Sequence, residues 1–328
     1  MKVRAQTSRP ANLTLMSKAK APADRPPKRT VDGILLLDKP VGITSNRALQ
    51  MAKRLYQARK AGHTGSLDPL ASGMLPLCFG QATKVSGFLL DADKEYEVEA
   101  LMGARTDTAD ADGAVTETAS KDSISPEELE AALEANRGPQ DQVPPMYSAL
   151  KQDGKRLYDL ARQGIEVERP ARPVIIHELT VVRFDPQRPA FRVRCSKGTY
   201  VRTLVESIAE HMGTLAHVTM LRRISVGAFA DVPMVTMQEL EAREGDLEAL
   251  DALLLTPDVA LAGYPEVRLS ASEAFYLRNG HPVGHASSGI AGLVRVYDEQ
   301  SRFLALGEVQ PDGQVAPKRL FMNPAEST

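Results

Sequence analysis

The hydrophobic pattern of this chain changes period several times, and each change marks an element. Gly33 to Asp38 is a short apolar run stopped by Lys39-Pro40, which predicts a buried strand followed by a turn. Thr44 or Ser45 can then cap a helix with Ala48, Leu49, Ala52, Leu55 and Tyr56 on one face and Arg47, Lys53 and Arg54 on the other. After a glycine-rich loop, Met74 to Phe79 is a second apolar run. Lys94 to Ala104 alternates: Tyr96, Val98, Ala100 and Met102 face one way and Glu95, Glu97 and Glu99 the other. That period of two predicts a half-buried strand with Tyr96 inward near its start. Arg105 to Gly113 reads as an acidic, turn-rich loop.

Further along, Ser125-Pro126-Glu127-Glu128 combines an N-cap, a first-turn proline and a capping-box glutamate, with Gly138 as the helix end. A helix is predicted from about Lys155 to Gln163, closed by Gly164, and strands at Val174–Phe184 and Ala190–Cys195. Tyr200 to Met212 reads as a helix, with Leu204, Ile208 and His211 or Met212 on one side, and His217 to Phe229 returns as a strand. After Pro265 short strands alternate with Gly and Pro turns: Val267–Leu269, Leu293–Tyr297, Phe303–Val309 and Arg319–Met322, with one helix at Ser272–Asn279. This texture predicts a small β-rich terminal module. No internal repeat is visible.

Composition adds limits. The 328 residues suffice for one large domain or two, with ordinary apolar and charged fractions. The formal charge of -2 conceals a polarity: residues 1–29 carry eight cations against Asp24 alone, net +7, leaving -9 for the rest. Any polyanion must therefore be held by local basic surfaces. Cys78 and Cys195 are the only cysteines, with no Cys-x-x-Cys, which fits structural thiols in a reducing cytoplasm. No apolar run of about 18 residues predicts a membrane span. The N-terminal stretch lacks the apolar core of a secretory signal, and its prolines interrupt the amphipathic helix of a transit peptide. It reads as a basic, disordered arm.

Candidate chemistry centres on Asp68. Between Asp38 and Asp68 there is no carboxylate, yet Lys39, Arg47, Lys53, Arg54, Arg59 and Lys60 all fall there. A carboxylate among cations stays ionised and can serve as nucleophile or electrostatic stabiliser, and the same cations attract a phosphate backbone. Alone, an Asp-Pro pair marks only a turn. Glycines at 62, 65 and 73 permit tight backbone geometry around it. Asp107, Asp110 and Asp112 suggest a calcium loop superficially, but the register puts Thr108 first and Ala119 twelfth, so both main ligand positions fail. No phosphate-cradling, dinucleotide or zinc-protease motif occurs.

The loop Gly62-His63-Thr64-Gly65-Ser66-Leu67-Asp68-Pro69-Leu70-Ala71-Ser72-Gly73-Met74-Leu75-Pro76 resembles the catalytic motif of the TruB family, the bacterial tRNA pseudouridine-55 synthases. The resemblance runs from Gly33 through Val315-Ala316-Pro317-Lys318-Arg319. It implies an α+β fold. Residues 1–29 would be the tail, and 30–263 a catalytic domain on a mixed, mainly antiparallel sheet flanked by helices. Residues 264–328 would form a small PUA-like, RNA-binding β-barrel. Asp68 would be the catalytic residue. Tyr96, in Lys94-Glu95-Tyr96-Glu97-Val98, would stack on the target base, where the bland alternative is a core tyrosine. Cys195-Ser196-Lys197-Gly198-Thr199-Tyr200-Val201-Arg202-Thr203 resembles the second active-site motif: Arg202 would pair with Asp68 through its planar fork, and Tyr200 would line the uridine pocket. His63 would contact RNA and help extrude the nucleotide, or else be an ordinary buried histidine. Leu221 matches a leucine near the base, with a core leucine as the alternative, and Lys39 would support the pocket or touch phosphate. Asp110 would hydrogen-bond its neighbours.

The implied reaction breaks N1–C1′, turns the uracil and joins C5 to C1′, with no net redox change or hydrolysis, so no cofactor or metal is expected. Asp68 has three open roles: attack at C1′, attack on the base, or removal of a sugar proton. The expected partner is tRNA through its T arm, with a standalone monomer and no guide RNA. Two other classes remain. A noncatalytic RNA-binding or RNA-folding protein would share the basic surfaces, and a glycoside-cleaving hydrolase would need two cooperating carboxylates.

Overall fold

The computed structural model describes residues 27–152, 154–284 and 289–321. The expected disordered arm thus lies outside the described residues up to position 26, as does Met322 of the last expected strand. The arm's end is nonetheless fixed: Arg29 forms a two-pronged pair with Asp251 and its amide bonds the Gln57 carbonyl, so order begins before the expected Thr30.

In chain order the first half holds β1 (Gly33–Lys39), α1 (Ser45–Leu55), β2 (Ala61–His63), β3 (Ser72–Phe79), α2 (Ser86–Asp91) and β4 (Lys94–Met102). A hairpin of β5 (Ala104–Thr106) and β6 (Val115–Thr118), then α3 (Pro126–Ala135) and β7 (Gly138–Gln142), lead to a second hairpin, β8 (Lys151–Gln152) and β9 (Lys155–Arg156). Next come α4 (Leu157–Ala161), β10 (Arg172–Arg183), β11 (Ala190–Cys195), α5 (Val201–His211), β12 (Ala216–Val226), β13 (Val235–Thr236), α6 (Met237–Glu241) and α7 (Leu247–Asp251).

Most of these elements arise for the expected reasons. Thr44 caps α1 by accepting from the Arg47 amide, and Ser125 and Glu128 close the capping box of α3. The alternation of β4 buries Tyr96, Val98, Ala100 and Met102, and also Lys94. Gly138 is not the helix cap, since α3 ends at Ala135 with Asn136 as its C-cap and Gly138 opens β7. The helix expected over 155–163 is shorter, because Lys155 and Arg156 pair with Gln152 and Lys151.

The strands form one nine-stranded sheet in the order β13-β1-β3-β12-β4-β11-β10-β7, with β2 added on β3. Only β1–β13 and β3–β12 are parallel, so the sheet is mixed and mainly antiparallel as expected. Placing β12 between β3 and β4 sets Arg223 beside Gly73 on one side and Tyr96 on the other. One sheet face carries the main core, with Leu35, Val98, Phe191 and Leu221 packed against side chains of α1, α3 and α5. On the opposite face of the central strands Glu95, Glu97 and Glu99 interleave with Arg192 and Arg183, at 3.8 Å for Arg192–Glu95 and 2.6 Å for Arg183–Glu99.

The remainder is the expected terminal module: β14 (Glu266–Leu269), α8 (Ala271–Arg278), β15 (Val283–Gly284), β16 (Gly292–Asp298), β17 (Phe303–Val309) and β18 (Gln314–Leu320). Its five strands, ordered β14-β16-β17-β18-β15, curl into a PUA-like half barrel. Leu306 packs in one cluster with Ile34, Leu36 and Met74 of the large sheet and Phe229 just after β12, and the Tyr297 hydroxyl donates to Asp258 at 2.7 Å.

Candidate active site

The Asp68 loop connects β2 to β3 and is tied down from several sides. Ser45 does not cap α1; its hydroxyl donates to the Leu67 carbonyl and accepts from the Leu67 amide, at 3.0 and 2.7 Å. The Gly42 amide donates to the Pro69 carbonyl at 2.8 Å. Gly73 has φ +97°, and a Cβ there would collide with the Arg223 carbonyl oxygen, so glycine lets β3 and β12 meet. Gly62 has no such need: its φ is not positive and nothing crowds it.

Arg202 lies in the first turn of α5 and is 4% exposed. Its Nη2 sits 2.9 Å from Asp68 Oδ2 and donates to the Tyr147 carbonyl, while Nη1 donates to the Thr108 carbonyl at 2.5 Å. Asp110 Oδ2 lies 3.8 Å from Nε. A cation at a helix N-terminus opposes the helix dipole, and two carboxylates offset that. The two acids differ in access. The Asp68 side chain is 42% exposed, whereas that of Asp110 is 6% exposed and accepts from the Thr108 hydroxyl and the Asp112 amide. Asp68 alone can meet a substrate. Arg202 thus has two acids beside it, one of them locked away.

The expected ring of cations around Asp68 is also corrected. Arg47, Arg54, Arg59 and Lys60 are exposed, and the cations acting on Asp68 are Arg202 and Lys39. Burial raises the Asp68 pKa above the usual carboxylate value; Arg202 and Lys39 oppose the rise and Asp110 adds to it. Lys39 is fully buried, with Nζ donating to the Pro40 and Ile43 carbonyls, and burial lowers its pKa to about 8. Its ammonium thus bonds the turn that follows β1 and presents no exposed face.

Tyr96 pairs across the sheet with Arg223 and Val193, and Leu221 pairs with Val98, so Tyr96, Leu221 and Arg223 share one sheet face. Burial raises the Tyr96 pKa, Arg223 opposes that rise, and Asp68 is close enough to add to it. Tyr200 is the N-cap residue of α5; its amide and carbonyl are both bonded by the Gln142 side chain, at 2.7 and 3.1 Å. His63, on β2, has its pKa lowered by burial and by Arg223, and its Nδ1 is buried without a hydrogen-bond partner. The structure therefore gathers Asp68, Arg202, Lys39, Tyr96 and Arg223 around one loop. Two surface concavities lie away from this loop, one between α3 and the end of α5, the other beside Gly80.

Two buried polar side chains that bond backbone near the site escaped the sequence: Gln142, on a strand with no hydrophobic signature, and Arg223. The signal for Arg223 was present, since alternation along β12 puts it on the same face as Leu221. No cluster of potential metal ligands occurs among the described residues. Cys78 and Cys195 are buried free thiols, with pKa values pushed up to about 12 and about 11 by burial.

Three family models match consecutive stretches. The TruB family pseudouridylate synthase N-terminal domain covers 53–201, the tRNA pseudouridylate synthase B C-terminal domain 202–262, and the pseudouridine synthase II TruB C-terminal region 265–321. Among curated relatives, tRNA pseudouridine synthase B of Nitrosococcus oceani is 51% identical over 294 residues, 89% of this chain and 96% of the relative. The enzyme of the same name from Shigella boydii is 48% identical over 303 residues, 90% and 96% of the two chains. In three dimensions the fold is shared with a chain of a Cbf5–Nop10–Gar1 complex, at TM-score 0.69 and 23% identity over 94% of this chain and 93% of that one. A chain of an H/ACA ribonucleoprotein bound to substrate RNA gives TM-score 0.68 at 21% identity, over 89% and 85%. With matches at about half identity along nine-tenths of its length, the chain belongs to the TruB family of pseudouridine synthases.

Proposed function

We propose that this chain isomerises uridine to pseudouridine in tRNA, at position 55 in the T arm, with Asp68 as the catalytic residue. The observation that carries this reading is the Asp68–Arg202 pair at 2.9 Å, in which the guanidinium is buried and the carboxylate is open to solvent. A fixed cation beneath a reachable acid holds that acid's orientation while it works at the sugar or the base. The uridine must first leave its stack, which costs a few kcal/mol, offset by phosphate contacts and by stacking on an aromatic ring. Tyr96 is assigned that stacking role, with Leu221 beside the base, Tyr200 lining the uridine pocket and His63 aiding extrusion. N1–C1′ then breaks, the uracil turns, C5–C1′ forms, and the proton lost from C5 is matched by one gained at N1. Atoms balance without an oxidant, a reductant or water.

Hydrolysis is disfavoured because the second carboxylate, Asp110, is committed to Thr108 and Asp112 and has no open face. The test is incubation of an unmodified tRNA transcript with the protein and no added cofactor, followed by mapping of modified positions. Pseudouridine in the T arm is expected, and Asp68→Asn should abolish it while RNA binding persists. Turnover by that variant, or release of free uracil, refutes the assignment. The same variant separates chemistry from any tRNA-folding role, which would survive it. A standalone monomer without guide RNA is part of the proposal; sedimentation of the active species tests it.

A further inference from the structure

We infer that Arg223 is a positioning residue of the active site, tying both stems of the Asp68 loop to Tyr96. Its role rests on the functional reading of Asp68 and Tyr96 above. The residue is 1% exposed, on β12. Its Nε donates to the Met74 carbonyl at 2.7 Å and its Nη2 to the Gly65 carbonyl at 3.2 Å. Those carbonyls lie at the two ends of the segment 65–74, so one side chain closes the base of the loop that bears Asp68. Its backbone is fastened too: Arg223 bridges to Gly73, where a glycine alone permits the approach. On its other side Arg223 is the cross-strand neighbour of Tyr96 on the same sheet face, and its positive charge favours the ionised form of the Tyr96 hydroxyl.

Charge makes this placement informative. No carboxylate pairs with Arg223 among the described residues. Lys39, Lys94 and His63 all feel its positive charge unfavourably. A buried guanidinium without an ion pair is expensive in free energy, and two neutral carbonyls would be satisfied more cheaply by backbone amides or a neutral side chain. A fork able to hold two stems at once is what arginine supplies and lysine does not. The tie then holds the acid and the stacking ring in one frame. Displacement of a reacting group by about 1 Å is enough to lower a rate about a hundredfold.

The test compares Arg223→Lys, which keeps the charge and loses the fork, with the parent, alone and combined with Tyr96→Phe. Pseudouridine formation is measured in single turnover with RNA saturating, RNA affinity by equilibrium binding, and folding by thermal unfolding. Arg223→Lys is expected to fold, to bind RNA as the parent does, and to form product about a hundredfold more slowly. In the Tyr96→Phe background the same change should slow the reaction by much less, because the hydroxyl on which the Arg223 charge acts is already gone. Parental turnover by Arg223→Lys overturns the inference, as does a loss seen only in RNA affinity, or full additivity with Tyr96→Phe. Arg223→Gln, with a neutral donor for the Met74 carbonyl, replaces the lysine variant should that one not fold. If neither folds, Arg223 belongs to the core and the inference fails. Asp68→Asn runs in parallel, so that turnover by it would reject the functional reading independently of Arg223.

Discussion

At the Asp68 carboxylate two effects oppose one another: burial favours the protonated form, and Arg202 favours the charged one. Burial is the larger. The pKa is raised, so an ionised Asp68 is lost on acidification earlier than for a free aspartate. The single-turnover rate should therefore show an acid limb above pH 3.8, the ordinary aspartate value. A limb at or below that value would mean that the guanidinium dominates. His63 gives a stability counterpart. Its folded-state pKa is lowered, so the unfolded chain takes up a proton first as pH falls below about 6.5, and stability declines there. Melting temperatures between pH 7 and 5 should fall less steeply for His63→Gln than for the parent. Equal slopes would show that His63 titrates normally. What could be read from the sequence at this scale followed local pattern. Tyr96 was legible because strict alternation put it inward, and Asp68 because a long motif surrounded it. The locking of Asp110 under Arg202 depends on a loop folding back onto a helix start more than ninety residues later, which no local spacing encodes.

Elements show the same division. β4, β11, α1, α3 and α5 carry clear apolar periodicity or caps and were found with small boundary errors. β7 was not found. Its residues, Gly-Pro-Gln-Asp-Gln, have no alternating hydrophobicity, and it is a strand only because it pairs with β10. Residues 230–263 likewise gave no sequence assignment, since their helices are only five residues long. Yet β7 matters for the site through Gln142, which bonds both backbone groups of Tyr200 at the head of α5. Gln142→Ala leaves those groups without that partner and should cost about 1–3 kcal/mol by chemical denaturation. An unchanged midpoint would show that water replaces the amide. Gly73→Ala should be harsher, combining a positive φ with overlap on the Arg223 carbonyl: a loss of about 2 kcal/mol or more is expected. A variant as stable as the parent would mean that β3 and β12 can separate there.

For the whole molecule, the terminal module was legible as a β-rich unit but its attachment was not, because contacts between distant segments leave no period in a sequence. Leu306, buried among Ile34, Leu36 and Phe229, makes the two units share a core. Leu306→Ala should destabilise by about 2–5 kcal/mol, and unfolding of the parent should be a single transition. Two separate transitions would show that the units fold independently. The lattice of glutamates and arginines on the sheet surface opposite Tyr96 has a further consequence. Charges of alternating sign a few ångströms apart cancel within about 8 Å at physiological ionic strength. A passing polyanion should therefore feel little pull from a distance, although at contact the arginines are the more exposed partners. If Asp68 acts on RNA as proposed, this face should add little long-range attraction for nucleic acid, leaving capture to the side where the Asp68 carboxylate opens.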